Sequence, residues 1–386
     1  MTRDIKITRI VTTHFDYQIA DLALEEELGF DTVYKKGGRL SASGGLLSIE
    51  TSAGISGTVS GGIDSRTAQY LLGRNPLDRE IIWHDLKRSR RVLDGTPPGA
   101  VDIALWDFAG KLYDAPIYEL LGGGWRKKLP AYASTYHGDE NGGLATPDDF
   151  AQFALRCKQE YGYPAFKIHG WVNGPIEREV AAVLAIRAVV GDDMDLLLDP
   201  AGCFPTFEDV LKVGRACDEA RYMWYEDPFR GGGFSRFAHA KLRELITTPI
   251  LMGEHVRGLE AKADTITAGA TDFVRANAHA DGGITGVMKI AALAESYGLD
   301  VELHGGSLPH RHIMATLRNT NYYELGLVHP LVGDSKPAVY NDRRWLDELD
   351  SVDENGCVEV PEGPGLGVEF DREWIEDHKT GETVYQ

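Results

Sequence analysis

Carboxylates stand at the ends of three consecutive short apolar runs in the middle of the chain. Asp199 ends MDLLLDP, Glu226 belongs to YMWYEDP, and Glu254 belongs to PILMGEH. Three carboxylates suit a hard cation, because Mg²⁺ prefers oxygen ligands and leaves coordination positions to water and substrate. Each one alone could be a solvated carboxylate at the start of a loop. The ordered set of three, each after an apolar run, predicts a metal site.

Groups able to move a proton follow the same kind of run elsewhere. Lys167 and His169 lie two apart in PAFKIHG, so their side chains face the same way on a strand. His304 in VELHGG is the candidate on the opposite side, and Asn277 and Glu324 end two further runs. A neutral imidazole near pH 7 is well matched to proton abstraction. Beside a metal, these groups predict a site that can move a proton or donate a hydrogen bond.

Elements of a parallel barrel must position these residues. From Leu129 onward, short apolar runs alternate with helical segments in units of roughly 20 to 30 residues, a rhythm typical of a βα barrel. In such a barrel the active site lies at the carboxyl ends of the strands. The predicted strands are AYAST, PAFKIHG, MDLLLDP, YMWYEDP, PILMGEH, DFVRANA, VELHGG and YYELGLV. Among helix starts, Thr146 and Thr206 have capping-box-like patterns, and Thr285 is predicted to open TGVMKIAALAESYG.

The first third of the chain has a different pattern. Residues 5–63 alternate strands and turns, with GGLLSIETSAGISGTVSGG typical of a hairpin, and residues 64–120 have helical periodicity. We predict an α+β capping domain at 1–128, a (β/α) barrel catalytic domain at 129–350, and a segment at 351–386 that returns to the capping domain.

Composition excludes some partners. The 386 residues carry a net charge of −19, which argues against nucleic acid, since phosphate binding needs clustered Lys and Arg. No apolar run reaches the roughly 18 residues of a membrane span, so no membrane partner is expected. Four scattered cysteines fit neither a zinc site nor a disulfide framework, and we expect a cytoplasmic protein.

The sequence resembles the mandelate racemase branch of the enolase superfamily over nearly its whole length. The motifs are IETSAGISG, AVDIALWDFAGK and VPEGPGLGVE in the predicted capping domain, and LLLDP, YEDPF, GEH, ADGGITGVMKIAALAESYGLDVELH and YYE in the barrel. The resemblance implies an enolase-type (β/α) barrel with an α+β cap built from both ends of the chain. It also implies Mg²⁺ as cofactor, a small-molecule carboxylate as substrate, and a homo-oligomer.

Residue roles follow from the resemblance by position. It implies that Asp199, Glu226 and Glu254 bind the metal. It implies that His169 is the base, that Lys167 lies near the substrate carboxylate, and that His304 is the histidine of the family's His–Asp pair. It implies that Glu324 is the acid that hydrogen-bonds the substrate carboxylate. His14, Asp16 and Tyr17 fall in the loop of the cap that closes over the site in relatives, which makes His14 and Tyr17 candidates for substrate binding.

Two residues depart from the family pattern. The usual Lys-x-Lys of the second strand is Lys167-Ile168-His169 here, and the aspartate paired with the strand-seven histidine is Asn277. An Asn carbonyl could accept a hydrogen bond from the imidazole and orient it. It could not stabilise an imidazolium by charge, which is worth about 4 kcal/mol for a 4 Å pair at an effective dielectric near 20. We therefore expect His304 to be harder to protonate, and the base remains open among His169, Lys167 and His304.

The preferred function is dehydration of a sugar acid, aldonic or aldaric, to a 2-keto-3-deoxy acid. His169 would act as base and His304 as acid, since barrels of this family with a histidine at the end of strand seven are mostly sugar-acid dehydratases. One alternative is a racemase or epimerase of a 2-hydroxy acid that uses both histidines as bases. The other is a non-catalytic relative that binds a carboxylate. The particular sugar acid, its stereochemistry and the oligomeric state stay open.

Overall fold

The computed structural model describes residues 4–26, 29, 31–93, 95–231 and 233–386. They form a sheet-based cap and a parallel barrel, the fold class that the sequence predicts. Within these residues no helix is both long and apolar enough to cross a membrane.

The cap is a four-stranded antiparallel sheet with helices packed against it. Its strands are ordered β13-β1-β2-β3, and the predicted hairpin is confirmed as the β2–β3 pair, in which Leu46 faces Ser60. The last strand, β13, pairs antiparallel with the first, so both ends of the chain contribute to one sheet. The cap strands are β1 (Ile7–Leu24), β2 (Thr32–Thr51), β3 (Ser56–Ser60) and β13 (Lys379–Tyr385); its helices are α1 (Ser65–Leu71), α2 (Arg79–Ser89), α3 (Gly99–Tyr113) and α4 (Ile117–Leu120).

The barrel consists of eight parallel strands in the order β10-β9-β8-β7-β6-β5-β4-β11. It is nearly closed: no ladder between β10 and β11 is described, but Val301 and Glu302 of β10 are hydrogen-bonded to Asn319 and Asn321, which precede β11. The strands are β4 (Lys128–Thr135), β5 (Ala165–Ile168), β6 (Asp195–Leu198), β7 (Trp224–Glu226), β8 (Ile250–Met252), β9 (Phe273–Ala276), β10 (Asp300–Leu303) and β11 (Tyr323–Val328).

Helices follow the barrel strands and cover them. They are α5 (Pro147–Tyr161), α6 (Ile176–Val190), α7 (Phe207–Glu219), α8 (Arg236–Arg243), α9 (Leu259–Thr267), α10 (Gly283–Ser296) and α11 (Leu308–Thr316). Beyond them lie a 3₁₀ turn (Arg343–Trp345), β12 (Cys357–Glu359), which pairs with β4, and α12 (Arg372–His378).

Local sequence explains where these helices begin. Thr146 makes a full capping box with Asp149, and Thr206 accepts a hydrogen bond from the Asp209 amide, as predicted. The prediction for α10 is wrong by two residues, since the helix begins at Gly283. Thr285 instead donates its hydroxyl to Asp102 of α3, and so ties the cap to the barrel.

Two layers of side chains fill the barrel. The lower layer is apolar and contains Tyr132, Leu197 and Trp224, with the Tyr132 and Trp224 rings edge to face at 5.7 Å. Next to it lies a charged layer, whose Lys167 ammonium is 5.5 Å from the Tyr132 ring centre. Residues one position away on the same strands, such as Phe166 and Leu198, belong to the core under the helices. This alternation aims the charged side chains at the barrel axis.

Candidate active site

The structure brings the three predicted carboxylates together at the carboxyl ends of β6, β7 and β8. Each of Asp199, Glu226 and Glu254 offers an oxygen within 4.8 Å of those of the other two. Asp199 and Glu226 are buried, whereas Glu254 is partly open to a cleft of about 440 Å³ that Asn277 and His304 also line. Three oxygen ligands with one open side suit an ion that keeps positions for a substrate.

Lys167 lies beneath these carboxylates, fully buried. Its Nζ is 3.0 Å from Asp199 Oδ2, 3.2 Å from Glu226 Oε2 and 2.8 Å from Glu324 Oε1. Burial lowers the pKa of Lys167, but the neighbouring carboxylates outweigh it, so the net pKa is well above the usual value. Lys167 therefore stays an ammonium ion.

Arg275 is a second buried cation, and the sequence reasoning missed it. It lies on β9 with Nε 2.8 Å from Glu226 Oε1 and Nη2 2.7 Å from Glu324 Oε2. Its signal in the sequence is its position two residues before Asn277, which places both on the inward face of one strand. Arg275 and Lys167 hold Glu226 and Glu324 from two sides.

The charge of this cluster fits a divalent cation. Four carboxylates, those of Asp199, Glu226, Glu254 and Glu324, meet two permanent cations, so negative charge is in excess by two. Glu226 Oε1 is buried and receives no aligned hydrogen bond from the described residues, despite its proximity to Arg275. Burial and the charges of Asp199 and Glu324 raise the pKa of Glu226 well above its usual value. A divalent ion would satisfy that oxygen and displace the proton.

Glu324 has a different environment from the one expected. It accepts from Ser134 Oγ at 3.0 Å and from the Gly305 amide at 2.7 Å, in addition to its two cations. Burial raises the pKa of Glu324, but Lys167 and Arg275 lower it further, so the net pKa is well below the usual value. A protonated Glu324 that donates to a substrate carboxylate is therefore disfavoured. Its contacts instead fix the ammonium of Lys167.

His169 presents Nε2 to the metal cluster. Its Nδ1 lies 2.6 Å from the carbonyl oxygen of Thr135, which can only accept, so Nδ1 carries the ring proton. In the neutral ring Nε2 is then a free base, and it lies 3.2 Å from Asp199 Oδ2. An imidazolium formed by proton uptake at Nε2 would be stabilised by that carboxylate.

His304 lies across the cluster with its Nε2 3.2 Å from Glu254 Oε1. The prediction that the Asn277 carbonyl accepts from this ring is wrong. Asn277 Oδ1 accepts instead from the amides of His279 (2.8 Å) and Ala280 (3.2 Å), an arrangement that satisfies the turn after β9. Its Nδ2 donates to the His304 carbonyl at 2.9 Å and lies 3.4 Å from His304 Nδ1.

This orientation sets the tautomer of His304. Since Asn277 Nδ2 is a donor, His304 Nδ1 is the unprotonated nitrogen, and the proton lies on Nε2, which faces Glu254. Burial lowers the pKa of His304, as expected for a ring without a charged partner on its Nδ1 side. The two histidines thus present opposite functions at Nε2: a lone pair on His169 and an N–H on His304.

Further residues hold the Glu254 loop. Asp227 accepts from the amides of Gly253 at 3.0 Å and Glu254 at 2.9 Å. Lys262 donates to the Gly253 carbonyl at 2.5 Å, and its Nζ is 4.0 Å from Asp281, which accepts from the Asn277 amide. The loops of Glu254 and Asn277 are therefore braced against each other.

The prediction that His14 and Tyr17 lie in a loop is wrong, although both line a cleft that His279 shares with the cleft of Glu254 and His304, so their role in substrate binding stays a prediction. Both are in β1, where His14 Nε2 is 3.0 Å from Thr383 Oγ1 and the Tyr17 ring packs near Phe15 and Trp374. Asp16, in the same run, also belongs to β1. No described hydrogen bond or ion pair joins His14 or Tyr17 to the acidic cluster. The long β1–β2 ladder carries the chain past these residues before it turns.

The loop that does approach the barrel comes after β1. Asp31 Oδ1 lies 3.8 Å from Nε2 of His137, which follows β4, and Val33 forms a parallel bridge with His137. Positions 27, 28 and 30 of this loop lie outside the described residues. This contact of the cap with the barrel lies beyond the residues 14–17 that the sequence analysis singled out.

Comparison with known proteins agrees with this geometry. Residues 149–374 match the family model described as enolase C-terminal domain-like, and residues 38–122 match the N-terminal domain of mandelate racemase and muconate lactonizing enzymes. The chain therefore belongs to the mandelate racemase/muconate lactonizing enzyme family of the enolase superfamily. It is an enzyme, and those of its curated relatives that are dehydratases are lyases.

Several of those relatives are sugar-acid dehydratases, and another is a D-galactarolactone cycloisomerase of Agrobacterium fabrum. A D-gluconate/D-galactonate dehydratase of Picrophilus torridus is 32% identical over 77% of this chain and 75% of its own length. A D-xylonate dehydratase of Haloferax volcanii is 28% identical over 88% of this chain and 86% of its own. A D-gluconate dehydratase of Thermoproteus tenax is 28% identical over 81% of this chain, which spans only 63% of that relative.

Among solved structures, a D-glucarate dehydratase from Agrobacterium tumefaciens complexed with magnesium superposes with a TM-score of 0.86. It is 29% identical, and the match covers 97% of this chain and 99% of that one. The predicted family and fold class are thereby confirmed.

Proposed function

We propose that this protein is a Mg²⁺-dependent dehydratase of a sugar acid. The observation that carries the proposal is the difference between the hydrogen-bond partners of the two histidines, which assign the proton of the neutral ring to Nδ1 in His169 and to Nε2 in His304. A racemase needs a base on each face of the substrate carbon, whereas an elimination needs one base and one proton donor. The site offers the second combination.

His169 takes the α-proton. Its neutral ring is fixed by the Thr135 carbonyl, and the imidazolium that results is held between that carbonyl and Asp199. Lys167 is excluded as the base because its ammonium is held by three carboxylates, which raise its pKa. It acts instead as a fixed positive charge below the substrate carboxylate.

His304 assists the departing hydroxyl. As the enediolate collapses to the Cα–Cβ double bond, the Cβ–O bond breaks and the oxygen takes the proton from His304 Nε2 to leave as water. A neutral imidazole can serve here, because the hydroxide being released is the conjugate base of a very weak acid and takes up a proton readily as it leaves. The proton gained by His169 and the proton lost by His304 re-equilibrate through solvent, and the enol product tautomerises to the 2-keto-3-deoxy acid.

Asp199, Glu226 and Glu254 are the residues that would hold Mg²⁺. When bound, the ion supplies a Lewis acid for the charge that develops on the substrate carboxylate. Lys167 adds a preorganised positive charge at the same place, an effect worth roughly 3 to 4 kcal/mol per group in comparable sites.

The test is incubation with Mg²⁺ and a panel of aldonic and aldaric acids in D₂O, with detection of 2-keto acid and of deuterium at Cα. We expect keto acid from at least one member. Deuterium at Cα without keto acid would favour a racemase or epimerase. Thermal stabilisation by a sugar acid with neither keto acid nor exchange would favour the non-catalytic alternative.

A further inference from the structure

Two hydrogen-bond acceptors face each other on the His169 side of the site. His137 Nδ1 lies 3.2 Å from the carbonyl oxygen of His169, so this nitrogen carries the ring proton and Nε2 is an acceptor. Asp31 Oδ1 faces that Nε2 at 3.8 Å, which is too long for a direct hydrogen bond. Among the described residues, neither atom receives a hydrogen bond.

The positions of both residues are fixed. Val33 bridges His137, and Asn141 Nδ2 donates to the Tyr34 carbonyl at 2.8 Å. The Tyr34 ring stacks on His329 at 4.6 Å. These contacts hold the end of the cap loop against β4, so the gap between Asp31 and His137 is part of the built structure.

The gap adjoins the base. The His137 ring packs edge to face on the His169 ring, with centres 5.4 Å apart. Burial and the charge of Glu25 raise the pKa of Asp31, and the charge of His169 offsets this rise only in part. Burial lowers the pKa of His137 itself to about 4, so this ring is neutral at pH 7. Two acceptors without a donor between them are complementary to a group that brings its own hydrogen. A hydroxyl is such a donor, and the longer sugar acids carry one beyond their reacting carbons.

We propose that Asp31 and His137 form a hydroxyl-binding subsite that selects acids with a hydroxyl beyond Cβ. The inference rests on the proposed dehydration and narrows its substrates to polyhydroxy acids of more than the minimal chain length. Short 2,3-dihydroxy acids, which carry only the reacting hydroxyls, leave both acceptors unpaired and bind the transition state less well.

The experiment compares two substrates, first with three proteins and then with Asp31→Asn as a fourth. The substrates are the sugar acid turned over fastest in the panel, and 2,3-dihydroxybutanoate with matching stereochemistry at the reacting carbons. The proteins are wild type, Asp31→Ala, and Glu26→Ala, an exposed control on the same loop. We expect Asp31→Ala to lower kcat/KM for the sugar acid by about 10- to 100-fold and to leave that for dihydroxybutanoate unchanged.

Other outcomes separate the possibilities. An equal loss with both substrates would mean that Asp31 only supports the loop, and no loss with either would mean that the subsite is wrong. Asp31→Asn, which keeps an accepting oxygen, should recover part of the preference. Because Asp31 is one-third exposed, its variants avoid the folding risk of changing buried His137. If wild type forms keto acid but Asp31→Ala loses activity equally with both substrates or with neither, only the proposed subsite is wrong. If wild type forms no keto acid, the proposed dehydratase function is wrong.

Discussion

The amide nitrogen of Asn277, not its oxygen, faces the imidazole of His304, at 3.4 Å from Nδ1. The oxygen is occupied by the amides of His279 and Ala280, so the side chain cannot turn over without leaving two amides unpaired. The backbone amides of the turn after β9 thus fix the orientation of Asn277, and this orientation determines which ring nitrogen of His304 carries the proton.

Replacement of Asn277 by Asp should reverse that pattern. One carboxylate oxygen can keep the two backbone amides, while the other would accept from His304 Nδ1. We expect the ring proton to move to Nδ1 and the pKa of His304 to rise, because the carboxylate stabilises the imidazolium. Nitrogen-15 NMR of the histidine rings reports the tautomer directly. Exposed Asn355→Asp is the control, and an unchanged His304 spectrum in Asn277→Asp would refute the assigned tautomer.

Glu226→Gln should weaken Mg²⁺ binding by more than about 100-fold and abolish turnover. The reason is that the substitution replaces a negatively charged metal ligand with a neutral amide. Isothermal titration with Mg²⁺ measures the affinity without any substrate. The exposed variant Glu373→Gln should bind like wild type. Full activity of chelator-treated Glu226→Gln would contradict the metal assignment.

His169→Asn should stop the exchange of the α-proton with solvent deuterium while Mg²⁺ binding persists. The reason is that Asn offers no basic lone pair where His169 Nε2 lies. Mass spectrometry of the recovered substrate measures the exchange. If exchange continued at the wild-type rate, another residue would have to be the base, with His304 the first to examine by the same substitution.

Arg275→Met should destabilise the protein by about 3 to 5 kcal/mol, since it leaves buried Glu226 and Glu324 short of one cation. Urea unfolding with and without Mg²⁺ measures the effect. The double variant Arg275→Met/Glu324→Gln should recover part of the loss, because it removes one unpaired charge. If the double variant were less stable than the single one by the full cost of Glu324→Gln alone, the two residues would not be coupled.

Glu179 makes stability depend on pH. It lies buried on α6, accepts from the Trp171 amide at 2.8 Å, and has one oxygen without a described partner. Burial raises the pKa of Glu179 from 4.5 to about 7, so the folded state binds more protons than the unfolded state between these values. This contribution to stability is therefore present at low pH and is lost as pH rises from about 4.5 to 7, by up to about 3 kcal/mol.

Glu179→Gln removes that titration. Relative to wild type, the variant should gain stability as pH rises from 5 to 8, and exposed Glu177→Gln should show no such trend. Chemical unfolding at a series of pH values tests the difference. A constant gap between Glu179→Gln and wild type across this range would show that Glu179 does not titrate there.

Much of the site could be predicted because, in a barrel, the position of a residue along a strand determines whether it lies at the active-site end. The residue after each apolar run lies at the mouth, and this rule alone gathers Asp199, Glu226 and Glu254. This rule does not find Arg275, because Arg275 lies inside the apolar run of β9, two residues before the strand end. A charged residue is tolerated there only when buried carboxylates neutralise it, and the sequence does not show that Glu226 and Glu324 contact it.

The orientation of Asn277 and the place of the cap loop could not be predicted for a different reason. Which end of an amide faces a ring depends on the amides that compete for its oxygen, and those belong to a turn whose shape the residue types leave undetermined. Asp31 meets His137 only because β1 and β2 are 18 and 20 residues long, a length that the alternation of residues 5–63 did not specify.

The pairing of β13 with β1 has a consequence for how the polypeptide is made. His14 and Thr383, which meet across these strands, are 369 positions apart, so a ribosome completes the whole barrel before the partner of β1 emerges. Until then the β13-facing edge of β1 is uncovered in the nascent chain, an edge at which another strand could add. Chaperones that shield nascent edges, and fusions or cleavage near the final strand, are therefore expected to influence yield more than changes on the outer helices do.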